Sequence, residues 1–310
     1  MSTEAPLYTY ESCNLCPRKC GIDRTSGKVG FCGQTSALKV ARAALHFWEE
    51  PIISGTRGSG TVFFSGCNLK CVYCQNHEIS TRCFGKEIRT ERLSEIFLEL
   101  QEQGSHNINL VTPAMFIPSI REALDMCSGS LHIPIVYNCG GYERTEIVDL
   151  MSDRVSIWLP DFKYAIEDTA WRLSMARDYK KVALCAIAQM IKVAGAPVLD
   201  ENGLLKSGVV VRHLILPGKR TESIEALSWL MDALPKDNYY LSLMSQYTPP
   251  EHLNKENTPD KSLLRKLTNA EYESVVESVL EAGFNEDLLF TQERSSATMN
   301  LRPAFNLEGV

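Results

Sequence analysis

Phe63 to Asn76 reads FFSGCNLKCVYCQN and carries Cys67, Cys71 and Cys74 at C-x3-C-x2-C spacing. Three thiolates on one short loop can each take one iron of a cubane 4Fe–4S cluster, whose ordinary complement is four cysteines. No fourth cysteine follows in the loop, so one iron is left open to a further ligand. Just upstream, Thr61-Val62-Phe63-Phe64 is a β-branched and aromatic run that predicts a strand, and Ser65-Gly66 predicts a turn. A zinc knuckle is the rival reading, with His77 as the fourth ligand three residues after Cys74. Zinc favours closed sets built from C-x2-4-C pairs, which this triplet fits poorly.

Outward from the loop, the chain has 310 residues, of which 44% are hydrophobic and 23% charged. That composition is ordinary for a globular protein, and the length suits one α/β barrel with a small appendage. A net charge of −6 argues against a broad nucleic-acid surface. No apolar stretch approaches a membrane span, and MSTEAPLYTYES at the N-terminus lacks the regions of a signal peptide. A cytoplasmic protein is expected, and an open-iron cluster would favour an anaerobic setting.

Seven of the eleven cysteines fall into two tight sets, which points to metal rather than disulfides. The second set is Cys13, Cys16, Cys20 and Cys32, within CNLCPRKCGIDRTSGKVGFCG. Too few apolar residues lie there to hold the stretch together, so metal would supply its folding free energy. Four-thiolate zinc and an auxiliary iron–sulfur cluster both fit, a closed structural site being favoured. Cys83, Cys127, Cys139 and Cys185 are scattered, and buried free thiols are expected of them, although Cys139 lies at a strand end beside two glycines.

The glycine run Gly55, Gly58, Gly60 precedes a strand instead of following one, so it predicts a turn and not a phosphate cradle. From the cysteine loop onward strands and helices alternate. Strands are expected near 107–111, 133–137, 155–159, 209–216 and 239–244, with helices between them. The helical stretch 169–193 should break near Asp178, and Asn202-Gly203 predicts a hairpin turn. Thr221 is expected to cap one helix, and Thr268 with Glu271 to form a capping box on the last. Six strands alternating with helices imply a parallel sheet with right-handed crossovers, a partial (β/α)6 barrel. Residues 1–60 would form the four-cysteine module and lead-in, and 61–310 the barrel with its C-terminal helix and tail.

The open-iron triplet resembles the signature of the radical S-adenosylmethionine (SAM) superfamily, and the partial barrel is also the fold that resemblance implies. It implies that the open iron chelates the amino and carboxylate groups of SAM, with Tyr73 beside the adenine. One electron from the reduced cluster would split SAM into methionine and a 5′-deoxyadenosyl radical, which removes a substrate hydrogen atom. An electron donor such as flavodoxin or ferredoxin follows. Active sites of parallel barrels lie at the C-terminal strand ends. The polar residues expected there are Thr112, Asn138, Asp161, Lys163, Arg212 and Gln246. Arg212 has the planar fork that suits a carboxylate, with pairing to Asp161 as its alternative. Asn138 and Asp161 are candidates for ribose or substrate. Where many members carry Gly-Gly-Glu after the second strand, this chain has Thr112-Pro113-Ala114. The amino-group role must then pass elsewhere.

CNLCPRKCG, ALHFWEEP, SGCNLKCVYCQN, YNCGGYE and RHLILPG together resemble the pyruvate formate-lyase-activating-enzyme-like branch, a broad group that includes queuine lyase. Two substrates compete. One is a small molecule broken by radical fragmentation, a 7-deazapurine such as queuine being the concrete case, with the loop Pro249 to Lys261 closing over it. The other is the glycyl loop of a partner enzyme, which an activase would leave radical-bearing. A non-catalytic iron–sulfur binding or assembly protein is the third reading, and an unligated iron speaks against it.

Overall fold

The computed structural model describes residues 8–292 and 303–310. Its strands are β1 (Lys39–His46), β2 (Ser59–Phe64), β3 (Lys86–Glu87), β4 (Ile108–Val111), β5 (Ile135–Cys139), β6 (Ile157–Pro160), β7 (Val198–Leu199), β8 (Leu205–Leu214), β9 (Tyr240–Met244) and β10 (Leu289–Thr291). They form one open sheet in the order β10-β9-β8-β6-β5-β4-β2-β1-β3, with β7 paired to β8. From β2 through β4, β5, β6, β8 and β9 every neighbouring pair is parallel, which is the expected six-strand partial barrel. A short parallel strand, β10, extends that edge.

The helices are α1 (Pro51–Ser54), α2 (His77–Ser80), α3 (Thr90–Glu102), α4 (Ile117–Cys127), α5 (Thr145–Met151), α6 (Glu167–Ser174), α7 (Tyr179–Ala194), α8 (Arg220–Ala233) and α9 (Asn269–Glu281). The expected break near Asp178 is the gap between α6 and α7, where Met175 turns left-handed at φ +51° and closes α6. Thr268 and Glu271 do form a capping box. Thr221 does not cap α8. Lys219 occupies the N-cap position and Thr221 lies inside the first turn, so the cap motif was misplaced by two residues.

The lead-in residues are more than a linker. Lys39–His46 pairs antiparallel with β2, and the C-terminal residues cover the outer side of that strand through Ala43 N–H to Glu308 O and Leu307 N–H to Ala41 O. Covering an edge in this way removes a site for unwanted strand pairing.

Side chains alternate across a strand, so the two apolar clusters reveal which way each residue faces. Tyr137, Trp158, Val209, Val211, Leu241 and Leu243 belong to the large cluster shared with the helices. Val136, Ile157, Leu159, Val210 and Tyr240 belong to an inner cluster with Ile53 of α1. Asn138, Asp161, Arg212 and Ser242 share the parity of that inner set. The barrel interior is therefore apolar at its floor and polar towards the C-terminal strand ends, which is where a reaction can be housed.

Of the scattered cysteines, Cys127 and Cys139 are buried and Cys83 partly so. Cys185 departs from the expectation: it is exposed, because it lies on the solvent side of α7 while Ala183, Ala186 and Ile187 face the core.

Candidate active site

β2 delivers the cysteine loop to the C-terminal end of the barrel. Gly66 turns the chain at φ +83°, and an added Cβ would stand 2.6 Å from Gln34 Cγ and 2.8 Å from the Cys32 carbonyl oxygen. Only glycine lets the loop pass this close to the N-terminal module. The loop is then tied down by Val72 N–H to the Leu173 carbonyl at 2.9 Å.

Each of the three sulfurs has its own donor. Leu69 N–H points at Cys67 Sγ (3.3 Å), Ser174 Oγ donates to Cys71 Sγ (3.0 Å), and Ser80 Oγ donates to Cys74 Sγ (3.4 Å). Ser80 comes from α2, the turn following the signature, and Ser174 is the last residue of α6. Behind Ser174 runs a line of hydroxyls, Tyr164 to Ser174 at 2.6 Å and Tyr73 to Tyr164 at 2.8 Å. A serine has one proton to give, and here it goes to sulfur. Tyr164 must then donate to Ser174, and Tyr73 to Tyr164, so the whole line points at Cys71. Tyr73 is buried with its hydroxyl committed to this line.

Burial, then the neighbouring Cys71, push the Cys67 thiol up to about 12, and the same causes raise Cys74. Three thiolates this close and this buried need a cationic centre between them. A cubane places each thiolate on a different iron, so it asks for a wider set than zinc does. His77 stacks on His252 with ring centroids 3.8 Å apart, and His252 Nε2 donates to the Val72 carbonyl at 2.8 Å. The donor set fits a cluster with one open iron.

The inner face carries an ionic network centred on Arg212. Its Nε meets Asp161 Oδ1 at 2.9 Å, Nη1 meets Glu49 Oε2 at 3.1 Å, and Nη2 meets Asn138 Oδ1 at 2.7 Å. Lys163 Nζ holds the other oxygen of Asp161 at 2.5 Å, and Asn138 Nδ2 donates to Glu49 Oε1 at 3.2 Å. Burial would raise the Asp161 carboxyl, but Arg212 and Lys163 outweigh it and keep it below its ordinary range. Glu50 is next in sequence to Glu49, nearly fully buried, and burial carries it up to about 7 despite the pull of Arg212.

The structure thus brings Asn138, Asp161, Lys163 and Arg212 into one network. Thr112 adjoins it through its N–H to the Asn138 carbonyl at 2.8 Å. Thr112 itself is left-handed at φ +57°, a costly conformation for a β-branched residue, and it turns the chain sharply into Pro113. Gln246 stands apart, its amide against Met244 Sδ at 3.7 Å. The YNCGGYE stretch has a structural task of its own: at Gly141, φ +78°, a Cβ would fall 2.1 Å from the Asp161 carbonyl oxygen. Glu143 from the same stretch is buried beside Tyr137 and Asn68, and desolvation raises it to about 8.

Sequence reasoning missed Glu49, Glu50, Ser80, Tyr164 and Ser174. The two glutamates sat in view in ALHFWEEP, which was read only as part of a resemblance. The serines and tyrosine are ordinary residues until the loop is folded against α6.

The model of the Radical SAM superfamily matches residues 61–230. The chain belongs to the radical SAM superfamily. Membership implies SAM and a 4Fe–4S cluster. An uncharacterised protein of Methanocaldococcus jannaschii, MJ0674, is 30% identical over 301 residues, covering 94% of this chain and 80% of that protein. The crystal structure of Streptococcus suis SuiB bound to precursor peptide SuiA is similar in fold. The TM-score is 0.51 at 12% identity, over 73% of this chain and 46% of SuiB. This radical SAM chain thus spans less than half the length of SuiB, and the likeness is one of fold.

Proposed function

We propose that this radical SAM protein is an enzyme that cleaves a bond in a small molecule, a lyase of the pyruvate formate-lyase-activating-enzyme-like branch. Cys67, Cys71 and Cys74 would hold the cluster, and Thr112, Asn138, Asp161 and Arg212 would line the SAM side of the mouth, with Tyr73 behind the loop. When bound, the cluster and SAM supply a 5′-deoxyadenosyl radical by one-electron cleavage. The protein's own share is placement and exclusion of water. Its inner-face network presents paired charges already bonded to one another, so they orient a polar ligand without reorganising.

The observation that carries the small-molecule reading is the cover over the signature loop. Residues 249–260 lie against it through His252, and Lys219 Nζ fixes Asp260 at 2.8 Å. A loop seated there would narrow the entrance that the glycyl loop of a partner needs. A 7-deazapurine base such as queuine is the substrate class we favour, with flavodoxin or ferredoxin as electron donor. SuiB, with a precursor peptide bound, makes a peptide the second reading to test.

Anaerobically reconstituted protein with reductant, SAM and a 7-deazapurine base should yield 5′-deoxyadenosine together with a fragmented base, both detected by mass spectrometry. Formation of 5′-deoxyadenosine with the base intact, alongside a glycyl radical signal on a partner enzyme, would overturn the lyase in favour of the activase.

A further inference from the structure

The N-terminal module contains a buried cation that no carboxylate among the described residues balances. Arg24 is 1% exposed, one of the largest fully buried side chains. Its donors go to the carbonyls of Gln34 (3.1 Å), Met115 (2.7 Å) and Thr35 (2.6 Å), and its guanidinium lies over the Tyr10 and Phe116 rings. Carbonyls and rings solvate a guanidinium without neutralising it. Among the described residues no carboxylate pairs with it, and the anionisable atom it touches is Cys13 Sγ, 3.7 Å from Nη1. A buried charge without a counter-charge is strongly unfavourable.

Around that guanidinium, Cys13, Cys16, Cys20 and Cys32 line one small cavity with Arg18 and Arg24, Cys20 lying on its exposed side. No helix or strand begins before Lys39 among the described residues, so residues 8–38 are held by turns and by whatever the cavity contains. The knuckles are tight: Lys19 and Gly21 are both left-handed, and a Cβ on Gly30 would come within 2.8 Å of Cys20 Sγ.

We propose that Cys13, Cys16, Cys20 and Cys32 hold a second, four-thiolate metal centre whose negative charge is balanced by the buried guanidinium of Arg24. Zinc and a cubane cluster share this ligand chemistry, and both are net negative with four thiolates. Arg24 is thus a positioning residue: it fixes the centre by charge without being a ligand.

The full chain carrying Cys67→Ala, Cys71→Ala and Cys74→Ala tests the site apart from the signature cluster. After desalting it should retain either a single zinc or about four irons with about four sulfides per chain. The first result identifies zinc and the second a cluster, and retention of neither overturns the proposal. Arg24→Gln should release that metal to a chelator about ten-fold faster, the usual cost of removing an outer-shell partner, while Arg24→Lys stays near the unaltered rate. Equal rates for all three would remove the charge-balance role. If the triple variant does not fold, alkylation mapping of the unaltered chain decides. The four cysteines should resist reagent until chelator is added, and identical labelling before and after chelation overturns the site.

Discussion

Replacing Arg212 by leucine separates two roles that the residue could play. In the structure its three nitrogens are committed to Asp161, Glu49 and Asn138, within 2.7–3.1 Å, with only 14% of the side chain exposed. Removing it leaves Asp161 with Lys163 as its remaining cation and Glu49 with none in this network. Breaking a buried pair by removing one partner costs about 3–5 kcal/mol, and the slight exposure here favours the lower end. For a chain of this size that lowers the unfolding midpoint by roughly 5–8 °C. A cycle with Asp161→Asn sharpens the test: the double variant should be more stable than the sum of single losses predicts, by at least about 1 kcal/mol. Circular dichroism on heating and in urea reads stability, and equilibrium dialysis reads SAM affinity. The reasoning fails if Arg212→Leu unfolds within about 1 kcal/mol of the unaltered chain while SAM affinity collapses. That result would make Arg212 a ligand hand and not the hub of the network.

Three further outcomes are expected. Ser174→Ala removes the hydroxyl donor to Cys71, so the reduced cluster loses stabilisation. Its midpoint potential in a redox titration should fall by on the order of 50 mV at unchanged iron content, with Ser174→Thr close to unaltered. Arg18→Ala cuts the bonds from the N-terminal module to the carbonyls of Asn68, Ser174 and Met175. The electron paramagnetic resonance line shape of the signature cluster should change while the metal bound by the module stays constant. An unchanged spectrum would disconnect the two. Glu50 is raised to about 7 in the fold from its ordinary 4.5, so the native state binds more protons between those values. Stability should therefore fall by roughly 3 kcal/mol as pH rises across that window, and Glu50→Gln should flatten that part of a pH series of urea melts.

How far the sequence could be read follows from which interactions are local. The C-x3-C-x2-C triplet, the Thr268 and Glu271 capping box and the break at Asp178 are set within a few residues, and each was legible. The parallel sheet was legible because its alternating strands leave few ways to pack. β1 was hidden, since KVARAALH is paired through contacts with β2, β3 and the C-terminal residues, all distant in sequence. The ionic hub was half visible. Arg212, Asn138 and Asp161 were found at strand ends, but Glu49 enters from a loop before the first barrel strand, 163 positions from Arg212. Ser174 lies 103 positions from Cys71, and no local pattern announces a donor that only the packing of α6 delivers.

Three thiolates holding a cubane that keeps one iron free for SAM are the centre of the proposed chemistry. Electron paramagnetic resonance of anaerobically reconstituted, reduced protein tests this most directly. The signal of a reduced 4Fe–4S cluster should appear, shift when SAM is added, and vanish from the signature site in the Cys67→Ala, Cys71→Ala, Cys74→Ala variant. A reduced-protein spectrum in which no component responds to SAM, or a spectrum identical in that variant, would contradict it.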